Sequence, residues 1–209
     1  AGGAACRTGR ADQNGSDWAG RNTPVFGSRH NADQASDSLL YTSGAIWAIS
    51  GIAAPSGDEA GEWTMNKLQG FSVEAGGGIV AQGFVDVLKR RTDRERPNGR
   101  DRESFPSAHA TGSSYFLTLS SRHIEASGVS DEAMTSSRIG FGVLTAATAW
   151  ARVEAAQHYP SDVLAGIAIG HFFGAFTTDA FLGADNPRNA MLLFEPAKGG
   201  GLAMVRFDF

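Results

Sequence analysis

The sequence predicts an all-α protein, a single helical-bundle domain of five to six core helices that ends in a short β-hairpin. Apolar residues recur at helical spacing through most of residues 35–182. Helix breakers, such as PSG at 55–57 and PNG at 97–99, separate these stretches. Residues 191–209 instead alternate in part between apolar and polar side chains. A chain of 209 residues suits one well-cored domain.

The first 90 residues should contain an extended lead and two helices. Residues 1–34 are rich in Gly, Asn, Asp and Arg with little apolar periodicity, so we expect an extended lead before the main body at 35–209. Ser36 or Asp37 can cap a first helix that ends before the break at 55–57. A second helix should run from about Asp58 to Arg90, with an interruption near Gly70 or Gly76–Gly78.

Three further helices and a hairpin follow. Pro106 and Ser107 should begin the third helix, since proline is tolerated in a first turn. The hairpin should occupy about 190–209, where two alternating stretches flank three glycines. The predicted ranges are Pro106 to about His123, Arg138 to about Ala156 and Pro160 to about Leu182 for the helices, and Met191–Glu195 and Leu202–Phe209 for the strands.

Composition limits the class of protein. The net charge of −4 argues against a nucleic-acid partner. The single cysteine, Cys6, excludes an intramolecular disulfide. The apolar runs Val163–Phe176 and Ile139–Ala151 are shorter than a membrane span needs, so we expect no transmembrane segment. These short runs favour a soluble protein. Because the chain begins AGGAAC, we also expect a processed chain that is periplasmic or secreted. Peripheral membrane contact and oligomeric state are left open.

Three polar blocks interrupt the apolar pattern and carry the chemistry. They are KRRTDRERP at 89–97, PSAH at 106–109 and RVEAAQHYPSD at 152–162. Together they supply guanidinium groups for phosphate oxygens, one imidazole to attack phosphorus and another to protonate a leaving group. The inventory therefore indicates a phosphate site.

The spacing within and between these blocks resembles the signature of the type 2 phosphatidic acid phosphatase superfamily. Lys–six residues–Arg-Pro is followed by Pro-Ser-x-His and then by Arg–five residues–His–three residues–Asp. That superfamily includes class A acid phosphatases, glucose-6-phosphatase and vanadium haloperoxidases, and it implies that 35–209 is a phosphatase domain. Two positions depart from the commonest pattern, Ala108 in place of Gly and Ala151 in place of Ser.

Residue chemistry and the resemblance lead to the same roles. His158 is the expected nucleophile, with Asp162 holding its other ring N–H. His109 is the expected general acid, and then the base that activates water. The expected phosphate-binding residues are Lys89, Arg96, Ser107 (hydroxyl), Ala108 (amide) and Arg152. The other arginines near Arg96 fit no position of the signature and are expected to be surface residues or ion-paired: Arg90, Arg91, Arg94, Arg100 and Arg102.

The function predicted from these roles is a metal-independent phosphatase that hydrolyses phosphomonoesters or diphosphates through a phosphohistidine. The substrate would be a lipid phosphate or a small soluble one. We expect no cofactor and no catalytic metal, since the three cations would repel one. Two alternatives stay open, a vanadate-dependent haloperoxidase and a catalytically silent module that binds phosphate or a lipid headgroup.

Overall fold

The computed structural model describes residues 9–22, 24–182, 191–197 and 200–206. Within these residues, six helices are followed by one two-stranded antiparallel hairpin, so the expected all-α fold is confirmed. Cys6 and the end of the second predicted strand, 207–209, lie outside the described residues. The elements are α1 Arg10–Asn22, α2 Arg29–Ala53, α3 Ala60–Thr92, α4 Ala108–Ala126, α5 Asp131–Glu154, α6 Pro160–Phe181, β1 Met191–Ala197 and β2 Gly200–Arg206.

The N-terminal region differs from the expected extended lead, because it contains α1 and the first turns of α2. α1 has few apolar residues, and contacts with distant elements stabilise it. Ala19 is fully buried in the core, and Trp18 meets Trp150 of α5 edge to face at 6.1 Å between ring centroids. α2 begins early because the hydroxyl of Ser28 accepts a hydrogen bond from the backbone N–H of Asn31 at 3.1 Å.

α3 is one continuous helix of 33 residues, without the interruption that its glycines predicted. Gly77 instead allows two other helices to approach. A Cβ at this position would lie 2.2 Å from Oγ1 of Thr177 on α6 and 2.6 Å from the hydroxyl of Tyr115 on α4. The glycines here therefore serve helix packing, which the sequence alone could not distinguish from a break.

α4 lies at the centre of the bundle, packed against α2, α5 and α6. Its contact with α6 is close because α6 carries Gly170, where a Cβ would lie 2.2 Å from the backbone oxygen of Thr111. The C-terminal ends of α3 and α5 meet the N-terminal ends of α4 and α6 at one end of the bundle. This arrangement brings the three polar blocks together.

α5 begins at Asp131, seven residues before the predicted start. Ser130 caps it by accepting from the backbone N–H of Ala133 at 3.3 Å, and Asp131 and Glu132 complement the helix dipole in the first turn. A polar first turn of this kind looks like a loop when only apolar periodicity is considered. α6 and the hairpin start at the predicted residues, and Met191 pairs with Arg206.

Large apolar side chains project from the outer faces of the bundle. Ile79 of α3 is 74% exposed, and Leu164 of α6 is 65% exposed. A protein surrounded by water rarely leaves such a dense apolar surface uncovered. Similar exposed residues are Ile49 and Ile52 on α2, Leu68, Val80 and Val87 on α3, Ile139 and Val143 on α5, and Phe172 and Phe176 on α6.

Candidate functional site

The first block contributes a buried lysine at the end of α3. Lys89 lies in the last turn, where a cation complements the helix dipole. Its Nζ donates to the backbone oxygen of Glu103 at 2.7 Å. This bond fixes the α3–α4 loop against the helix and leaves Nζ protons for another acceptor, since an ammonium group carries three.

Arg96 from the same block reaches the third block directly. Its Nη1 lies 3.4 Å from Nε2 of His158 and donates to the side-chain oxygen of Gln157 at 3.1 Å. Its Nε donates to Asp101 at 2.6 Å. The guanidinium is thus oriented from one side by its own loop and faces the predicted nucleophile.

His158 is buried, and its ring is held by a backbone carbonyl. Nδ1 lies 2.6 Å from the carbonyl oxygen of Ser104. A carbonyl can only accept, so Nδ1 carries the proton and the neutral ring has its lone pair on Nε2. Burial lowers the pKa of His158 to about 4, and the charges of Arg152 and Arg96 act in the same direction. The ring is therefore neutral near pH 7, as a nucleophile requires.

Asp162 does not hold the ring of His158 as the sequence predicted. Its Oδ2 lies 3.8 Å from Nδ1, beyond hydrogen-bond distance. That oxygen accepts instead from the hydroxyl of Ser104 at 2.6 Å and from the backbone N–H of Tyr159 at 2.8 Å. Asp162 therefore orients Ser104, and the carbonyl of Ser104 orients the histidine.

Arg94 was not identified from the sequence as a site residue. It was expected at the surface or in an ion pair; it is ion-paired but only 5% exposed, and it binds both Asp162 and Asp12 of α1. It also donates to the hydroxyl of Ser161 at 2.8 Å and lies 4.4 Å above the ring of Tyr159. No local sequence signal separates Arg94 from its basic neighbours, because its partners come from distant elements.

The second block forms the N-terminus of α4. Ser107 caps the helix through its hydroxyl and donates its own backbone N–H to the backbone oxygen of Asp162 at 3.1 Å. The backbone amide of Ser107 is therefore occupied and is not free to bind an anion. The amides of Ala108 and His109 lie in the first turn, where no intrahelical acceptor exists.

Arg152 lies buried in the last turn of α5. Its Nη1 donates to Asp33 at 2.6 Å and to the hydroxyl of Ser36 at 3.0 Å, both on α2. Its Nε is buried without a hydrogen-bond partner among the described residues. A buried guanidinium donor left unpaired is costly unless a ligand accepts from it, which fits an anion site.

His109 lies across the site at the first turn of α4. Its Nε2 is 2.7 Å from Oδ1 of Asp37 on α2. Burial lowers the pKa of His109 below its ordinary value and Arg152 adds to this, whereas Asp37 and Asp33 oppose it. The sequence signature did not reveal either acid, since both precede the first polar block by more than fifty residues.

The assembled site can bind an oxyanion and supply both a nucleophile and a proton donor. The charge of Arg152 acts on both His109 and His158, and Arg96 contacts the latter. Among the described residues, no cluster of three or more His, Cys, Asp or Glu side chains is arranged to hold a metal ion. The side chains of Lys89, Arg96 and Arg152 form a cationic cradle with fixed positive charge. Such a cradle suits displacement at phosphorus.

The fold is similar to a solved structure. The crystal structure of the first transmembrane PAP2 type phosphatidylglycerolphosphate phosphatase from Bacillus subtilis superposes with a TM-score of 0.61 at 17% sequence identity. The match covers 81% of this chain and 84% of that one. It shows a shared fold.

The comparison corrects the expectation about the membrane. The similar structure is a transmembrane protein, and α6, with 22 residues or about 33 Å, is long and apolar enough to cross a bilayer. The exposed apolar faces of α2, α3, α5 and α6 agree with this. The prediction of a soluble, periplasmic or secreted chain with no transmembrane segment is therefore wrong. It failed because it required an unbroken apolar run, whereas α6 includes glycines, threonines and His171.

The sequence comparisons give the family. No curated protein matches the chain significantly. The family model described as the PAP2 superfamily matches residues 71–184, which include all three polar blocks and more than half of the chain. On that match, and with the shared fold, the protein is a member of the PAP2 superfamily.

Proposed function

We propose that this protein is a membrane phosphatase that hydrolyses lipid phosphate esters through a phosphohistidine on His158. Membership in the superfamily and the shared fold support a phosphatase. The observation that carries the mechanism is the bond from Nδ1 of His158 to the Ser104 carbonyl, which leaves the Nε2 lone pair beside Arg96. A neutral, oriented imidazole facing cations is poised to attack a phosphorus atom.

The reaction has two displacements. In the first, Nε2 of His158 forms a bond to phosphorus, the bond to the leaving oxygen breaks, and His109 donates a proton to that oxygen. In the second, water attacks phosphorus, the P–N bond breaks, and His109 takes the proton from water. Lys89, Arg96 and Arg152 bind the non-bridging oxygens together with the first-turn amides of α4.

A groove beside the site favours a lipid over a soluble ester. It has a volume of about 610 Å³ and lies between α2, α3 and α4. The end nearer the site is lined by Asp86, one turn before Lys89, and by Thr111. The other end is apolar and is lined by Trp47 and Phe116. A headgroup phosphate in the cradle would then place its hydrocarbon chain along the helices, within the bilayer that surrounds them.

Trapping the covalent intermediate tests this function. Protein purified in detergent is mixed with a phosphate ester labelled in the phosphoryl group and quenched in alkali, in which phosphohistidine survives. We expect label on His158, more of it in His109→Ala because water activation is slow there, and none in His158→Ala. His171→Ala, which changes a histidine of α6 away from the cradle, serves as the matched control. Label retained in His158→Ala would refute the mechanism.

A further inference from the structure

One contact of the site that the sequence signature does not include joins α2 to α4. Asp37, in the third turn of α2, lies 2.7 Å from Nε2 of His109, which is 72 residues away in sequence. The carboxylate is about half exposed and the imidazole about a quarter exposed, so the pair lies at the open side of the site. Two such groups meet only because α2 packs against α4.

The contact determines which ring nitrogen of His109 can exchange a proton with the substrate. A carboxylate at neutral pH only accepts, so Nε2 of His109 carries a proton. Proton exchange with a leaving oxygen or with water then falls to Nδ1. A side chain that fixes one imidazole nitrogen sets the tautomer and the ring orientation of the other.

The same face of α2 also positions Arg152, a residue expected to bind phosphate. Asp33 precedes Asp37 by one helical turn, so both project from one face, and it binds Arg152 at 2.6 Å. α2 is itself fixed to the bundle by a hydrogen bond of 2.9 Å between the hydroxyls of Ser43 and Ser113 on α4. A rigid helix thus holds the proton donor and a cation of the cradle at a set separation.

We propose that Asp37 is a positioning residue for the general acid, holding Nε2–H of His109 so that Nδ1 faces the leaving-group oxygen. The proposal rests on the proposed function, in which His109 transfers that proton. It assigns α2, which lies outside the sequence signature, a part in the chemical step. Asp37 itself touches neither substrate nor phosphorus.

The charges around His109 fix the direction of a pH effect. The groups that face it are Asp37 and Asp33 from α2 and Arg152 from α5. Burial and Arg152 disfavour the protonated ring, and the two carboxylates favour it. Removing Asp37 therefore lowers the pKa of His109. The rate of a reaction that needs the protonated acid should then fall at a lower pH than in the unchanged protein.

The test compares Asp37→Asn with the unchanged protein on two esters, an alkyl phosphate and p-nitrophenyl phosphate. An alkoxide needs a proton in order to leave, whereas p-nitrophenolate does not. We expect kcat on the alkyl ester to drop roughly 10- to 100-fold, the range for losing an orienting partner. The first turnover on the nitrophenyl ester should change less than about threefold, because general acid catalysis contributes little there. Asp37→Glu should recover part of the loss, and Ser38→Ala, on an adjacent exposed position, should behave as the unchanged protein.

A pH profile and a folding measurement complete the test. The descending limb of kcat on the alkyl ester should move to lower pH in Asp37→Asn, while the thermal unfolding midpoint stays the same. An equal loss on both esters, or an unshifted limb, would overturn the proposal. Should Asp37→Asn not fold, Asp37→Ser removes the same carboxylate. The same comparison then applies to it, the loss of rate on the alkyl ester against the loss on the nitrophenyl ester. Failure of the proposed function itself would be recognised separately, as phosphate release that survives His158→Ala.

Discussion

The imidazole of His158 is bound by the backbone of Ser104 and not by Asp162. The Nδ1 to carbonyl distance is 2.6 Å, whereas the carboxylate lies 3.8 Å away and takes the Ser104 hydroxyl instead. A carbonyl acceptor orients the ring without adding a negative charge to it. This agrees with a pKa for His158 of about 4, which burial lowers most, with the charges of Arg152 and Arg96 acting in the same direction.

The pH dependence of the first step should reflect that pKa. The pKa of His158 in the folded protein lies below the ordinary 6.5. The reactive neutral ring therefore persists as the pH falls to about 4. The burst of p-nitrophenolate, measured against pH, should therefore lose amplitude or rate only near that value. Arg96→Gln removes a neighbouring cation and should raise the pKa of His158. The acidic limb of the pH profile, where the burst is lost, should then move to higher pH even though the variant is slower. A limb near pH 6.5 that does not move in Arg96→Gln would contradict the assignment.

The same shift affects stability. The unfolded chain binds a proton at His158 below about pH 6.5 and the folded chain does not until about pH 4. His158 therefore contributes stability above that window and loses it as pH falls through it. Thermal unfolding between pH 7 and pH 4 should show a decline that is smaller in His158→Gln, which cannot titrate. An unchanged slope in His158→Gln would show that other groups cause the decline.

Arg94 should be the most sensitive residue for folding near the site. It is 5% exposed and paired with Asp162, which is fully buried, and with Asp12. Arg94→Met leaves the Asp162 carboxylate buried without its partner, which typically costs roughly 3–5 kcal/mol. Arg102→Met is the control, because its ion pairs with Asp93 and Glu95 are exposed and typically contribute less than about 1 kcal/mol. Chemical denaturation in detergent measures both, and equal losses would contradict the buried-pair argument.

Vanadate should inhibit in the micromolar range, because a trigonal oxyanion bonded to Nε2 of His158 mimics the transition state. EDTA should leave phosphate release unchanged if no metal takes part, as the cationic cradle suggests. A divalent ion that is strictly required would contradict the metal-free step. Bromide oxidation by peroxide in the vanadate-loaded protein would instead favour the haloperoxidase alternative.

The groove between α2 and α3 should determine the preference for long chains. Gly83 lines it, and a Cβ there meets no atom within 4 Å, so Gly83→Trp can fill the groove without straining the helix. We expect this variant to lose activity on long-chain lipid phosphates and to keep it on p-nitrophenyl phosphate. Val80→Trp adds the same ring at an exposed position of α3 that does not line the groove. Equal chain-length dependence in both variants would exclude the groove as the site of the chain.

The sequence by itself determined the helices with strong apolar periodicity and the three blocks that give the family. Pro160 as the start of α6 and Lys89 in the last turn of α3 depend on local geometry, so they could be predicted. Only the tertiary structure decided the partners: Asp37 for His109, Ser104 for His158 and Asp12 for Arg94. These hydrogen bonds join groups 54 to 82 residues apart. They depend on which helix packs against which, and no local pattern in the sequence specifies that choice. The membrane location could not be predicted for a similar reason. Whether an apolar side chain faces the protein core or lipid is a property of the assembled bundle, in which Ile79 and Leu164 point outward.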